Sequence, residues 1–261
     1  MKIFMTPQLF KDFPRLNTLR TLVSDEIILR EVTPLVEEYQ ADLAEAQKLI
    51  PTVNLNQVFP EIIEKDSIYL ENFFGHWGCV SIEELCKICL IVKFIKPKRI
   101  LEIGTYIGLT TLQMALNAPA DCLTYTLDIP KENRVKIAPS VIDELVAQSF
   151  KQEFNTMTGS YFKERHDVNI KQLWGDSATF DYSVLDRKAD LIFIDAAHDY
   201  QSKKIDSENA FKLIADGGVI IWHNYADVLN AQTTKYLKDI SANYHLFHLR
   251  NTFLVVFWNK K

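Results

Sequence analysis

The spacing of apolar positions changes once along the chain. In residues 31–50 (EVTPLVEEYQADLAEAQKLI), Leu35, Tyr39, Leu43, Ala46 and Ile50 recur at helical intervals, and Pro51 ends the run. Residues 82–95 (IEELCKICLIVKFI) predict a second helix. Ser81 stands before it as N-cap, Glu84 follows three residues on as in a capping box, and Pro97 closes it. From residue 99 onward, short apolar runs of strand length alternate with helical stretches. RILEIG (99–104), CLTYTLDI (122–129), IKQLWGD (170–176), DLIFIDA (190–196) and GGVIIWHNY (217–225) predict strands. LTTLQMALN (109–117), SKKIDSENAFKLIA (202–215) and DVLNAQTTKYLKDI (227–240) predict helices. YHLFHLR and TFLVVFW close the chain as two strands joined at Asn251. Residues 131–169 read as polar and helical, and residues 1–30 give no clear pattern.

Strands that alternate with helices predict a parallel sheet covered on both faces. The last two strands are joined too closely for a parallel crossover, so they should pair antiparallel. The expected architecture is a doubly wound α/β domain over residues 96–261, behind an N-terminal helical extension over 1–95. That extension carries no independent domain signal. With 261 residues, of which 48% are hydrophobic, the chain can bury its own core without staples.

Composition excludes several classes. No apolar run approaches the ~18 residues of a membrane span. The net charge of −5 leaves no basic footprint for a nucleic acid. The first residues lack a long apolar core and a small-residue cleavage site, so no secretion signal is read. Cys79, Cys86, Cys89 and Cys122 fit a reducing, cytoplasmic setting. Cys86 and Cys89 sit in an apolar helix with no second pair, which predicts packed thiols rather than a metal site.

In an open parallel sheet, ligands bind at the carboxyl ends of the strands near the point where the strand order reverses. The residues at those ends are therefore the candidates. The first strand ends at Glu102 and runs into Gly104-Thr105-Tyr106-Ile107-Gly108, where two of only 8 glycines fall. That loop lets backbone approach a ligand, and the next helix offers free N–H groups to an anion. Asp128 ends the second strand, 24 residues after Gly104, where an acid accepts from ribose hydroxyls. Gly175, Asp176 and Ser177 end the third strand; Asp195 and His198 follow the fourth; His223 and Asn224 end the fifth.

With these motifs in this order, residues 75–261 resemble the class I S-adenosylmethionine-dependent methyltransferases. LEIGTYIGLTT looks like that family's first motif. FIDAAHDY and GGVIIWHNY look like the fourth- and fifth-strand motifs of the metal-dependent O-methyltransferases, which include catechol-type and antibiotic sugar enzymes. The resemblance implies a seven-stranded sheet of order 3-2-1-4-5-7-6 with the last strand antiparallel. It implies O-methylation of a small-molecule hydroxyl with S-adenosylmethionine as cofactor. Glu102 would face the methionine end of that cofactor, with Gly78 and Ser81 lining the same end. The loop Gly104, Thr105, Tyr106 and Gly108 would wrap the methionine and ribose. Thr110 would touch the methionine carboxylate, Asp128 would bind the ribose diol, and Gly175, Asp176 and Ser177 would edge the adenine.

The same resemblance implies a metal and a base. Asp195, His223 and Asn224 stand where such enzymes hold a divalent metal, Mg²⁺ or Mn²⁺, and His198 stands at the position of the base. A metal lowers the pKa of the acceptor hydroxyl, and the base removes its proton. His223 departs from the pattern, because an acidic ligand is usual there. Mg²⁺ prefers oxygen ligands and imidazole suits other metals. Either the metal is not Mg²⁺, or the site is weakened, or it is lost.

Three alternatives stay open from the residues alone. The first is a metal-independent methyltransferase on the same fold. The second is an NAD(P)-dependent short-chain-type dehydrogenase, through the Tyr200-x-x-x-Lys204 spacing. The third is a non-catalytic cofactor-binding module. His76 and Trp77 are read either as a substrate lid or as a packing staple. Residues 1–75 and 131–169 are expected to shape the acceptor pocket, and the N-terminal segment leaves a homodimer contact open.

Overall fold

A computed structural model describes residues 33–62, 67–73, 78–130 and 158–260. The alternation of side chains along its strands dictates the layering. Eight strands form one sheet: β1 Thr52–Val53, β2 Arg99–Ile103, β3 Leu123–Asp128, β4 Ile170–Trp174, β5 Ala189–Ile194, β6 Ile214–Trp222, β7 Leu246–Leu249 and β8 Val255–Trp258. Among the described residues, six α-helices accompany them: α1 Thr33–Leu49, α2 Leu55–Val58, α3 Ile82–Ile95, α4 Leu109–Asn117, α5 Tyr200–Leu213 and α6 Ala231–Ile240. Ile100, Leu191, Phe193, Val219 and Ile221 face one apolar core, shared with Leu85, Ile88 and Val92 of α3 and Met114 of α4. Their neighbours Leu101, Ile103, Ile192, Ile194, Ile220 and Trp222 face the other, shared with Ala46 of α1, Ala210 of α5 and Leu237 of α6. Period-two alternation with both faces buried is what a doubly wound sheet requires.

The sheet order is β1-β7-β8-β6-β5-β2-β3-β4. The last seven strands in the chain follow the expected order, and β8 runs antiparallel to both β6 and β7. Two corrections follow. The sheet has an eighth strand, because Thr52–Val53 pair in parallel with His248–Leu249. Two residues carry no readable period, so the extension before residue 95 looked purely helical in sequence. His248 pins this edge: its Nε2 lies 2.7 Å from the Thr252 carbonyl and its Nδ1 lies 2.9 Å from Thr52 Oγ1. The polar stretch at 158–169 is also not a helix. Residues 158–164 form turns that bond back to the first loop through Gly159 N–H to Tyr106 O (2.9 Å) and Tyr161 N–H to Ile107 O (3.0 Å). Residues 131–157, and Gly75, His76 and Trp77, lie outside the described residues.

The helix ends explain themselves locally. Ser81 caps α3: its Oγ accepts from Glu84 N–H at 3.3 Å, and its own N–H donates to Glu84 Oε2 at 2.7 Å. Lys96 ends α3 in the left-handed region (φ 49), and Pro97 prevents continuation. Asp199 caps α5, accepting from Ser202 N–H at 2.9 Å. On α4, the amides of Gln113 and Asn117 hold the backbone of Glu71 and Tyr69 as a strand would (2.6–3.0 Å). The described helices include none long and apolar enough to cross a membrane.

Candidate active site

The order reverses between β2 and β5, and the carboxyl ends of β2, β3, β5 and β6 meet there. Gly104 leaves β2 at φ +100, and a Cβ placed on it would lie 2.2 Å from the carbonyl oxygen of Asp195. Only glycine lets the first loop pass this close to the end of β5. Gly108 starts α4 at φ +82, where a Cβ would meet the Phe162 ring at 2.4 Å. Between them the loop is held by Asp128. Its Oδ2 accepts from Thr105 N–H at 3.2 Å and from Tyr106 N–H at 3.0 Å.

Glu102 is buried beneath that loop and heads a run of hydrogen bonds across three strands. Gln172 Nε2 donates to Thr105 Oγ1 (3.1 Å), and the Thr105 and Thr126 hydroxyls lie 2.7 Å apart. Thr126 donates to Glu102 Oε2 at 2.6 Å, and Thr111 of α4 donates to the same oxygen. Burial pushes the Glu102 carboxyl up to about 8; the two threonine hydroxyls oppose this, and the Asp195 and Asp128 charges add to it. The sequence pointed to Glu102 and Thr105. It did not point to Thr111, Thr126 or Gln172, which read there as ordinary strand and helix residues.

The adenine-side candidates form a separate ledge. Asp176 Oδ1 accepts from Ala178 N–H at 2.9 Å, closing a tight turn after β4. The Ser177 carbonyl accepts from Tyr182 Oη and Asn209 Nδ2, both at 3.2 Å, which ties the ledge to α5. Gly175 lies under the Phe180 ring. Gly78 is exposed at φ +89 beside Tyr106, Ser81 is taken up in the α3 cap, and Thr110 lies nearly buried in the first turn of α4.

At the ends of β5 and β6, Asp195 and His223 form an ion pair, with His223 Nδ1 3.1 Å from Asp195 Oδ1. The other ring nitrogen, Nε2, faces Glu84 Oε1 at 3.4 Å. Burial alone would lower the His223 pKa; the Asp195 carboxylate, then Glu84, raise it well above the ordinary histidine range. Burial would raise both carboxyls, and the imidazolium holds each of them below its ordinary value. Glu84 read in sequence only as a cap residue, and nothing in its spacing signalled this second role. His198 is half-buried beside Asp195, whose charge it also stabilises. Asn224 leaves β6 in the left-handed region (φ 71), and its Oδ1 is buried with no hydrogen-bond partner.

This donor set does not fit a divalent metal. The nitrogens of His223 both face carboxylates, its side chain is 2% exposed, and the described residues gather no group of three His, Cys, Asp or Glu side chains around a metal position.

A second cation escaped the sequence reading. Lys203 is fully buried on the inner face of α5 with Asp206 and Ser207, and its charge favours ionised Asp195 and Asp206. Burial dominates at Asp206 and pushes it up to about 6. The neighbouring Tyr200-x-x-x-Lys204 pair does not face the strand ends. Tyr200 donates to Asp239 Oδ2 on α6 at 2.9 Å, and Lys204 is exposed beside Glu208. None of the described cysteines is in a disulfide, and Cys89 is buried and donates to the Gln113 carbonyl.

The strand-end constellation falls within a stretch that matches known proteins. Residues 101–225 match a family model described as a methyltransferase domain. The O-methyltransferase NovP superposes with a TM-score of 0.51 at 14% identity, over 69% of this chain and 81% of that one. An SAH-bound methyltransferase from Podospora anserina gives 0.48 at 17% identity, over 79% and 94%. An O-methyltransferase from Bacillus cereus in complex with SAH gives 0.45 at 19%, over 85% and 98%. A comparison with curated protein sequences finds no match. The fold is shared with the O-methyltransferase NovP, and the stretch from β2 through the end of β6 is the part that matches the methyltransferase-domain model.

Proposed function

We propose that this protein transfers the methyl group of S-adenosylmethionine to a hydroxyl oxygen of a small molecule. The observation that carries the reading is the convergence of Glu102, Asp128 and Asp195, from three adjacent strand ends, on the loop Gly104–Gly108. In this reading the loop takes the methionine and ribose, Asp128 the ribose hydroxyls, and Asp176 with Ser177 the adenine edge. The cofactor, when bound, supplies an electrophilic methyl on a sulfonium. The acceptor oxygen forms the new C–O bond while the C–S bond breaks, its electron pair staying on a neutral thioether. The hydroxyl proton passes to His198, beside Asp195, and from there to solvent. A base at this place suits a hydroxyl acceptor, which is a poor nucleophile until deprotonated; the rest is positioning. His198→Ala should slow turnover roughly 10²–10⁴-fold and leave cofactor affinity nearly unchanged.

The described stretches before residue 95 belong to the same working unit. Thr52–Val53 complete the sheet and Glu84 reaches the end of β6. A thermal-shift titration with S-adenosylmethionine, S-adenosylhomocysteine and NADH tests the reading. A ligand at 100 times its Kd adds about 2.7 kcal/mol of stability. Stabilisation by the two sulfur compounds and not by NADH is expected; stabilisation by NADH alone would overturn it.

A further inference from the structure

Methyl transfer to an unactivated hydroxyl invites a metal beside the acceptor oxygen. The place the sequence reserved for it is filled by a side chain. His223 is walled by the Phe193 and Phe253 rings, with centroids 6.5 and 6.4 Å from its own. Its partner Glu84 cannot swing aside. Oε1 accepts from Phe253 N–H at 2.7 Å, and Oε2 accepts from Ser81 N–H at 2.7 Å. For a ring nitrogen of His223 to ligate a metal, the ring would have to turn from the carboxylate it faces, in a space closed by two phenylalanine rings. What remains for a cation is the second oxygen of Asp195, the unpartnered Oδ1 of Asn224, and His223 Nε2, which makes no hydrogen bond but is covered by Glu84 Oε1 at 3.4 Å. Two protein oxygens, one of them a neutral amide, make a weak anchor for Mg²⁺, which is ordinarily held by one or two carboxylates and fills its octahedron with water.

We propose that His223 takes the metal's place: fixed between Asp195 and Glu84, it is a positioning residue for Asp195, and methyl transfer on this chain requires no divalent metal. The assignment rests on the methyltransferase reading above. It also gives Glu84 a purpose beyond capping. One carboxylate joins the Gly78–Ser81 turn, expected at the methionine end of the cofactor, to the strand ends where the acceptor sits. Lys203 is buried on α5, and its charge acts on Asp195 in the same sense.

The test uses Mn²⁺ as the probe, followed by electron paramagnetic resonance on the whole chain, with S-adenosylmethionine binding measured in parallel with Mn²⁺ and with EDTA. The expected result is that S-adenosylmethionine binds equally under both conditions, and that the wild type binds no Mn²⁺ that Asp195→Asn removes. Replacing the internal cation with an oxygen ligand, His223→Asp, should create Mn²⁺ binding that Asp195→Asn abolishes. If that variant is unstable, Glu84→Gln combined with it relieves the carboxylate repulsion. Wild-type Mn²⁺ binding lost on Asp195→Asn would overturn the proposal while leaving the cofactor reading intact. Failure to bind S-adenosylmethionine under either condition would sink that reading itself.

Discussion

Tyr106 and Asp128 are joined across the mouth of the first loop: the Tyr106 N–H donates to Asp128 Oδ2 at 3.0 Å, and Tyr106 holds a left-handed φ of 47. A non-glycine residue in that region costs roughly 1–2 kcal/mol, so the carboxylate helps to hold a conformation the loop would otherwise leave. Asp128 thus shapes the first loop as well as facing the ligand in the proposed reading.

Truncating Asp128 should therefore act twice. Asp128→Ala is expected to weaken S-adenosylmethionine binding by about 1–3 kcal/mol and to lower the melting temperature of the free protein. Asp128→Asn retains an acceptor oxygen for the two loop amides, so it should recover most of the stability and less of the affinity. Calorimetric titration of both variants separates the effects. Wild-type affinity in the alanine variant would remove Asp128 from the binding site.

Glu102 sets a pH dependence of the opposite kind from an ordinary surface acid. Its carboxyl is raised from 4.5 to about 8, burial being the main cause. A raised group contributes stability that is fully present below its unfolded pKa and is lost as pH rises through the folded one. Glu102→Gln should therefore gain stability relative to the wild type as pH rises from 4.5 through 8, in the absence of cofactor. Parallel melting curves at all pH values would show that Glu102 is not the group responsible.

Gly104 and Gly217 separate a clash from a backbone preference. Both have positive φ, at +100 and +77, but a Cβ on Gly104 would meet the Asp195 carbonyl at 2.2 Å while one on Gly217 meets nothing within 4 Å. The carbonyl cannot yield, because β2 and β5 are locked in register through Ile103 and Ile194. Gly217→Ala should cost about 1 kcal/mol, and Gly104→Ala about 1–3 kcal/mol more from overpacking. Urea midpoints measure the difference. Equal losses would mean that the first loop moves away from β5 freely.

The order of the seven principal strands was legible because their two buried faces leave apolar runs of strand length between helical stretches. Leu101 to Ile103 and Leu191 to Ile194 show no polar side chain except Glu102, and that exception marked the site. The strand ends were legible as well, since topology says where ligands bind before any contact is known. What escaped is what spacing does not encode. Thr52–Val53 are too short to show a period, and Gln172 reads as the polar face of an edge strand. Lys203 and Asp206 occupy the inward face of a helix whose apolar pattern they interrupt. Glu84 satisfied a local rule, the capping box, so well that its longer-range bond to His223 left no trace.

That bond carries the last prediction. The Glu84 carboxyl titrates below its ordinary value of 4.5: burial opposes the shift, and His223 drives it. Its contribution is present above 4.5 and is lost as pH falls. The His223 imidazole titrates above its ordinary value of 6.5, so its contribution is fully present below 6.5 and is lost as pH rises through the folded value. The two windows overlap between 4.5 and 6.5. Glu84→Gln leaves a buried imidazolium with one partner removed, a change that typically costs about 3–5 kcal/mol. A double-mutant cycle with His223→Gln should show the largest coupling inside that window and a smaller one on either side. Urea unfolding of the four proteins across the pH range measures it. A coupling that stays constant with pH would mean that Glu84 and His223 meet as neutral groups, and that the contact between them is packing rather than charge.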